Sequence, residues 1–419
     1  MKKLIFSILI IFLCLTPFTL ISCGGEDDTT TEPPIVTYDI TYQLNGGTNS
    51  AKNPDTYKTG EIITLDYPEK ADYMFAGWFT DAALTTEIKE IKDKEENLTL
   101  YAKWIPYEDV FDFVENNSCY EIKIAPNYKV ETVIIPSHYK GMPVVKITRT
   151  AEKHHKLFES VIISDTVTFI DIQAFSNGMG KDMEMCLEHI EVDENNLNFK
   201  SVDGVLYSKD EKTLIRYPAN KNGDTFNIPE KVTVIDDFAF SRNENLKSVT
   251  IPNSVVSIGD CAFSRAESLE CIVIPDSVKK IGGYVFNKCI SLKNVTLSNN
   301  IESIEYYSFF GCTALESVII PNSVKSIGAW AFSNCSALKN IVISTNVDNI
   351  LTGAFNKCTS AESVVIPKSV IQMKGSAFQG CPQLTLYCEA ESMPEGWESH
   401  LDKNVKCVVW GHKEGKREK

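Results

Sequence analysis

Between Phe238 and Ala390 the apolar positions of the chain return with a fixed period of 23. Phe240, Phe263, Phe286, Phe309, Phe332, Phe355 and Phe378 mark the repeat. Six residues past each stands a leucine, from Leu246 to Leu384, with Ala361 the exception. Val318 and Ile320 show the next two apolar slots, and Val324 and Ile327 the two after a proline such as Pro321. A stretch such as LESVIIP alternates with period two and is β-branched, so it predicts a strand. The proline ends that strand because it cannot donate to a ladder. One period offers about seven inward side chains and cannot bury them alone, so copies must stack. Stacking makes a parallel sheet with coils about 4.8 Å apart, and seven regular coils span roughly 34 Å.

Upstream the register loosens but the phrase persists, in ETVIIPSHYKGMPVVKI, ESVIISDTVTFIDIQAF and KSVDGVLYSKDEKTLIRYPA. VFDFVENNSCYEIKI reads as an N-terminal capping hairpin, and the stretch from LYCEAESMPEGW to VVWG breaks the repeat and reads as the other cap. Before the repeats, residues 38–104 form a separate pattern. YDITYQL alternates, NGG turns the chain, and EIITLDY, YMFAGWFTD and NLTLYAKW follow as strand candidates, with Trp78 and Trp104 as core or rim aromatics.

The first 22 residues carry a positive start, MKK, then an apolar run interrupted by Pro17 and closed by LISC. A short apolar run ending in small residues is a signal peptide rather than a membrane span. Residues 23–37 are acidic and Thr/Pro-rich, the composition of a flexible tether. The chain has a net charge of −15, and removal of Lys2 and Lys3 with the leader takes it to −17 (−15 − 2). With no basic face, nucleic acid is excluded as a partner. The last eight residues, 412–419, are a basic solvated tail.

Four resemblances follow from these motifs. LISC resembles a bacterial lipobox, which implies cleavage before Cys23 and lipid on that cysteine. The Glu26-Asp27-Asp28 run resembles the acidic export signals of Gram-negative surface lipoproteins, and reads equally as a polar spacer. NGG, YMFAGWFTD and LTLYAKW, in that order, resemble the internalin B-repeat, which implies a small β-grasp-like domain. IPNSVKSIGAWAFSNCSAL resembles the BspA-like leucine-rich repeat across residues 107–411. The implied fold is a β-rich α/β solenoid of 23-residue coils with a parallel sheet.

Cys289, Cys312, Cys335, Cys358 and Cys381 all sit three residues past the phenylalanine, one per coil. Zinc needs ligands converging on one point, which a line does not offer. The same slot holds Asn243 and Ala266, so it is small and mostly buried, and the thiols read as a packed, structural ladder. A serine there would bury a hydroxyl in need of a partner. Cys388 and Cys407 are the one late pair that could form a disulfide.

Two features face outward. The slot before each strand alternates in sign, from Lys247 through Glu270, Lys293, Glu316 and Lys339 to Glu362, and reads as a register-supporting ladder. Beside it run Thr250, Val273, Thr296, Ile319, Val342 and Val365. Two residues before the phenylalanine, three successive coils place Tyr284, Tyr307 and Trp330, while Cys261 and Gly353 flank them. Because the slot accepts glycine, we read it as exposed. Tyr284, Tyr307 and Trp330, with Thr296, Ile319 and Val342, are the candidate ligand-binding residues.

No catalytic constellation emerges. The six histidines include an adjacent pair, His154-His155, and no phosphate loop, zinc-protease motif or nucleophile elbow is present. We expect no enzyme activity, no metal and no cofactor. The architecture and the resemblances together imply a lipoprotein on the outer membrane of a Gram-negative bacterium, exposed at its surface. Its solenoid would bind a host, matrix or neighbouring-cell protein. A glycan-binding accessory of a polysaccharide-uptake system and a passive stalk are the alternatives.

Overall fold

The computed structural model describes residues 35–127, 129–149, 158–171, 174–175, 186–398 and 405–413. Cys23 and the His154-His155 pair lie outside them.

The first domain is a five-stranded sheet in the order Thr56–Lys58, Thr37–Gln43, Leu98–Pro106, Tyr73–Phe79, Glu87–Ile88. Its first and last long strands run parallel at the centre, the pairing expected of a β-grasp-like domain. Trp78 is buried with Ile40, Tyr57, Phe75 and Leu100. Trp104 lies under the Asn45 turn: its indole N–H donates to the Leu44 carbonyl at 2.9 Å. A Cβ on Gly47 would meet that ring at 2.5 Å, so the turn needs glycine there. Met74 joins the core of the first solenoid coils and accepts from the Ile134 N–H at 3.3 Å, and Lys89 pairs with Glu131 across the same junction.

The solenoid opens on an antiparallel hairpin, Phe111–Asn116 with Cys119–Ile124. From there each coil contributes one strand to a main sheet and a short strand to a second sheet. In the regular region the main sheet runs from Thr225–Asn227 to Asn294–Thr296 and then from Ser317–Ile319 to Val405–Trp410. The second sheet likewise has two blocks, one ending at Lys280–Ile281 and the other beginning at Ser303–Ile304. The return side of the coil is made of turns. Among the described residues the helical element is a single 3-10 turn, Tyr107–Asp109.

The phenylalanines are buried and stack into one column from Phe240 to Phe378, with ring centroids 4.8 to 5.3 Å apart and planes within 21°. That spacing is the coil repeat itself, which is why one residue type can occupy the slot indefinitely. At the C-terminal end Cys381–Cys388 and Val405–Trp410 extend the main sheet in parallel. Trp397 closes the core there, its indole N–H donating to the Val370 carbonyl at 3.0 Å.

Candidate functional site

The cysteine line is a buried ladder with a specific partner. Each Sγ donates to the carbonyl of the phenylalanine one coil back: Cys289 to Phe263, Cys312 to Phe286 and Cys335 to Phe309 at 3.1 Å, Cys358 to Phe332 at 3.3 Å and Cys381 to Phe355 at 3.2 Å. All five are free thiols at 0% exposure. Burial pushes Cys289, Cys312, Cys335 and Cys358 well up from the ordinary thiol value. The neighbouring Cys358 thiol draws Cys381 the other way, below the ordinary thiol value. Asn243 fills the same slot with its own bonds, donating to the Pro218 and Ala219 carbonyls and accepting from the Asn245 and Leu246 N–H groups. The slot thus provides a hydrogen-bond acceptor, which the sequence reading of a hydroxyl in want of a partner did not foresee.

Cys388 and Cys407 do not pair. Cys388 is buried opposite Trp410, whereas Cys407 is exposed opposite Thr385. Their registers differ by three residues, roughly 10 Å along the strand, well beyond the Cα separation a disulfide allows.

The aromatic row has a different geometry from the one expected. Tyr284 stacks on Tyr307 with centroids 4.7 Å apart and planes 4° from parallel, and Tyr307 stacks on Trp330 at 6.3 Å and 17°. The free side of Trp330 lies over Gly353, where a Cβ would meet the ring at 2.7 Å. The rings are half-buried and their faces are used on one another, so edges are what they offer to solvent. Glycine occurs in this slot for a backbone reason. Tyr284, Tyr307, Trp330 and Gly353 all have φ between 54° and 64°, the left-handed region that glycine enters without penalty. Its presence says nothing about exposure: Phe238 and Cys261, in the same slot, are 8% and 2% exposed.

The outer face of the main sheet is open. Val273, Ile319, Val342 and Val365 are 60, 68, 52 and 37% exposed, and Val409 extends the line past Tyr387. Thr250 and Thr296 lie on the same line and are also exposed. Beneath it Val249, Ile272, Val318, Ile341 and Val364 face inward and are buried. The charged slots beside the stripe are linked by backbone bonds such as Lys293 N–H to the Glu270 carbonyl at 2.9 Å. Of the five neighbouring charge pairs, Glu270–Lys293 is in contact, at 3.1 Å, and both side chains are about half exposed. Such a pair contributes at most about 1 kcal/mol, so the alternation supports register only weakly.

The candidate residues therefore fall into two groups. Thr296, Ile319 and Val342 share the main sheet. Tyr284, Tyr307 and Trp330 sit on the turns after the second sheet, half a coil away, and do not extend that surface. Among the described residues no cluster of His, Cys, Asp and Glu converges as a metal site would, and no helix is long and apolar enough to cross a membrane.

Comparison with known proteins places this geometry. Residues 219–312 and 279–390 match the BspA type leucine rich repeat region. Residues 219–390 are BspA-type leucine-rich repeats. Residues 38–103 match the Listeria-Bacteroides repeat domain. A leucine-rich repeat protein from Eubacterium ventriosum has the same fold, with a TM-score of 0.50 and 20% identity over 68% of this chain and 95% of its own. A leucine rich cell surface protein from Faecalibacterium prausnitzii is 25% identical, covering 73% of this chain and 94% of its own at a TM-score of 0.40. A Gly-rich membrane protein from Evansella cellulosilytica is 30% identical over 92 residues, which is 22% of this chain. The chain thus spans about a tenth of that relative's length, 10%. In this chain the inward strand residues, the stacked phenylalanines and the thiol ladder are buried, so the side chains on the open faces are those free to meet a partner.

Proposed function

We propose that this chain is a lipid-anchored surface protein whose BspA-type solenoid binds a protein partner across the open face of its main sheet. One observation carries the reading. Parallel sheets are ordinarily covered on both faces, yet here Ile319, Val342 and Val365, on successive strands of one block of the main sheet, lie open to solvent. A contiguous exposed apolar line on a rigid frame is the mark of a docking surface. Its polar neighbours, Asn294, Ser317, Asn340 and Ser363, supply hydrogen-bonding groups without net charge. In this reading the stacked rings of Tyr284, Tyr307 and Trp330 stiffen the second side of the solenoid and lend only their edges to a ligand. The chain has no catalytic role. Its target is a protein of a host, a matrix or a neighbouring cell, as expected of an adhesin.

The lipid would be carried by Cys23, which keeps the solenoid at the membrane surface on its acidic tether. Labelling with radioactive palmitate tests the anchor: label enters the wild type and is absent from Cys23→Ala, whereas equal label in both refutes lipidation. The docking face is tested by charged substitutions at Ile319 and Val342 in a cell- or matrix-binding assay. A passive stalk would lose nothing by them.

A further inference from the structure

The solenoid has one seam in its regular region, and a cleft opens there. Along the second sheet each coil donates two backbone hydrogen bonds to the coil before it. Lys279 N–H donates to the Val256 carbonyl and Gly282 N–H to Ile258; Lys325 N–H donates to Glu302 and Gly328 N–H to Ile304. The two bonds that belong between these sets, from Glu302 to Lys279 and from Glu305 to Ile281, are not made, and the sheet divides between Lys280–Ile281 and Ser303–Ile304. The main sheet divides in the same coil. The sequence differs there too: Leu297-Ser298 replaces the Ile-Pro of neighbouring coils, and the Ser298 hydroxyl donates to the Val278 carbonyl at 2.6 Å.

The resulting cleft has a volume of about 510 Å³. Gly282 and Gly283 form one wall, packed so closely against Asp260 and the Tyr306 ring that neither leaves room for a side chain. Tyr306 stands at its rim, 44% exposed, edge-on to Tyr284 at 5.2 Å and resting against Gly283, where a Cβ would meet the ring at 2.7 Å. Unlike the stacked row beside it, this ring is not part of a face-to-face pile. Asp260, Glu302, Glu305, Lys279 and Lys280 surround the opening.

We infer that this cleft is a saccharide-binding subsite for a neutral oligosaccharide. Ligand sites combine an apolar or aromatic wall with a few convergent polar groups, and the parted ladder adds backbone donors and acceptors that its own sheet does not use. Carboxylates and ammonium groups share the rim, so a polyanion meets Asp260, Glu302 and Glu305 and a cation meets Lys279 and Lys280. An uncharged molecule with many hydroxyls satisfies both, as donor to the acids and acceptor to the lysines, while its C–H face packs on Tyr306. The subsite lies on the second sheet and does not depend on protein docking at the main one.

The test is titration of the purified full chain with maltotriose, cellotriose, xylotriose, mannotriose and triacetylchitotriose, read by saturation-transfer NMR and calorimetry. At least one binds the wild type. Tyr306→Ala weakens it by about tenfold or more, the range of a single well-placed contact. Gly283→Ala does the same by displacing the ring without removing it, and Tyr306→Phe and Trp330→Ala bind as the wild type does. Unfolding midpoints for the Tyr306 variants stay at the wild-type value. Absence of binding by all five sugars overturns the inference. So does binding that survives both Tyr306→Ala and Gly283→Ala, or a sugar complex displaced by choline or by a polyglutamate peptide. None of these outcomes touches the docking face at Ile319.

Discussion

Cys335 offers the sharpest reading of what the thiol ladder does. Its side chain is fully buried and its Sγ donates to the Phe309 carbonyl at 3.1 Å, an oxygen that already accepts the Cys312 N–H at 3.2 Å. Cys335→Ala removes one buried heavy atom and leaves that carbonyl with its backbone partner. The cost is close to that of deleting one buried methylene with its small cavity, about 0.5–1.5 kcal/mol. Cys335→Ser buries a hydroxyl, and an orphaned hydroxyl would add about 1–3 kcal/mol. Here the hydroxyl inherits the Phe309 carbonyl, so Ser and Ala fall within about 0.5 kcal/mol of each other. Denaturant unfolding followed by circular dichroism and by tryptophan fluorescence measures both, and agreement of the two probes guards against stepwise loss of coils. A Ser variant more than about 2 kcal/mol below Ala would mean that no acceptor is within reach. The ladder also sets a pH dependence. The folded thiols of Cys289, Cys312, Cys335 and Cys358 are raised above their unfolded value by burial. Their contribution is therefore complete below the unfolded thiol pKa, and is lost as pH rises through it toward the folded value, because the unfolded chain releases protons that the native chain keeps. Each such thiol steepens the fall by about 1.4 kcal/mol per pH unit, and Cys335→Ala shows a shallower decline than the wild type above about pH 8.5.

Further expectations follow from the stacked rings and the turn backbone. Trp330 is half-buried with φ of 59°, so Trp330→Ala costs about 1–3 kcal/mol, between an exposed and a fully buried aromatic. Trp330→Gly is more stable than Trp330→Ala by about 0.5–1 kcal/mol, reversing the usual order, because glycine enters the left-handed region freely; an alanine variant at least as stable as glycine would refute the backbone argument. Phe332 has ring neighbours on both sides, at 5.0 and 5.2 Å, and Phe378 has one, at 5.2 Å. Phe332→Ala accordingly loses about 0.5–1.5 kcal/mol more than Phe378→Ala, and equal losses in thermal unfolding would show that stacking adds nothing to burial.

The period of 23 made the solenoid, its inward slots and its parallel strands legible, because those follow from which residues must be buried together. The buried thiol ladder was legible for the same reason. Three things were not. The hydrogen-bond partner of each thiol is a main-chain carbonyl 26 positions back, and carbonyls leave no mark on sequence. The left-handed backbone at Tyr284, Tyr307 and Trp330 was hidden because bulky residues rarely adopt it, though Gly353 in the same slot, and Gly311 and Gly380 in the slot two past the phenylalanine, were its visible trace. The seam beside Tyr306 was hidden because Glu302 to Glu305 keep the apolar pattern while the backbone bonds lapse. Its one trace in the sequence was the paired Gly282-Gly283, since the proline lost at Ser298 is lost again at Ser344, where the sheets are unbroken. Cys388 and Cys407 looked like a pair only while strand register was unknown.

The central claim is that the open face of the main sheet is the docking surface, and a double substitution tests it directly. Ile319 and Val342 are cross-strand neighbours, so Ile319→Lys with Val342→Glu places an attractive charge pair where two apolar side chains stood and leaves stability within about 0.5 kcal/mol. Binding of the purified protein to intact host cells and to immobilised matrix is then measured beside its unfolding midpoint. The account predicts saturable binding by the wild type, reduced about tenfold or more by the double variant at an unchanged midpoint. Equal binding by the two proteins would contradict it.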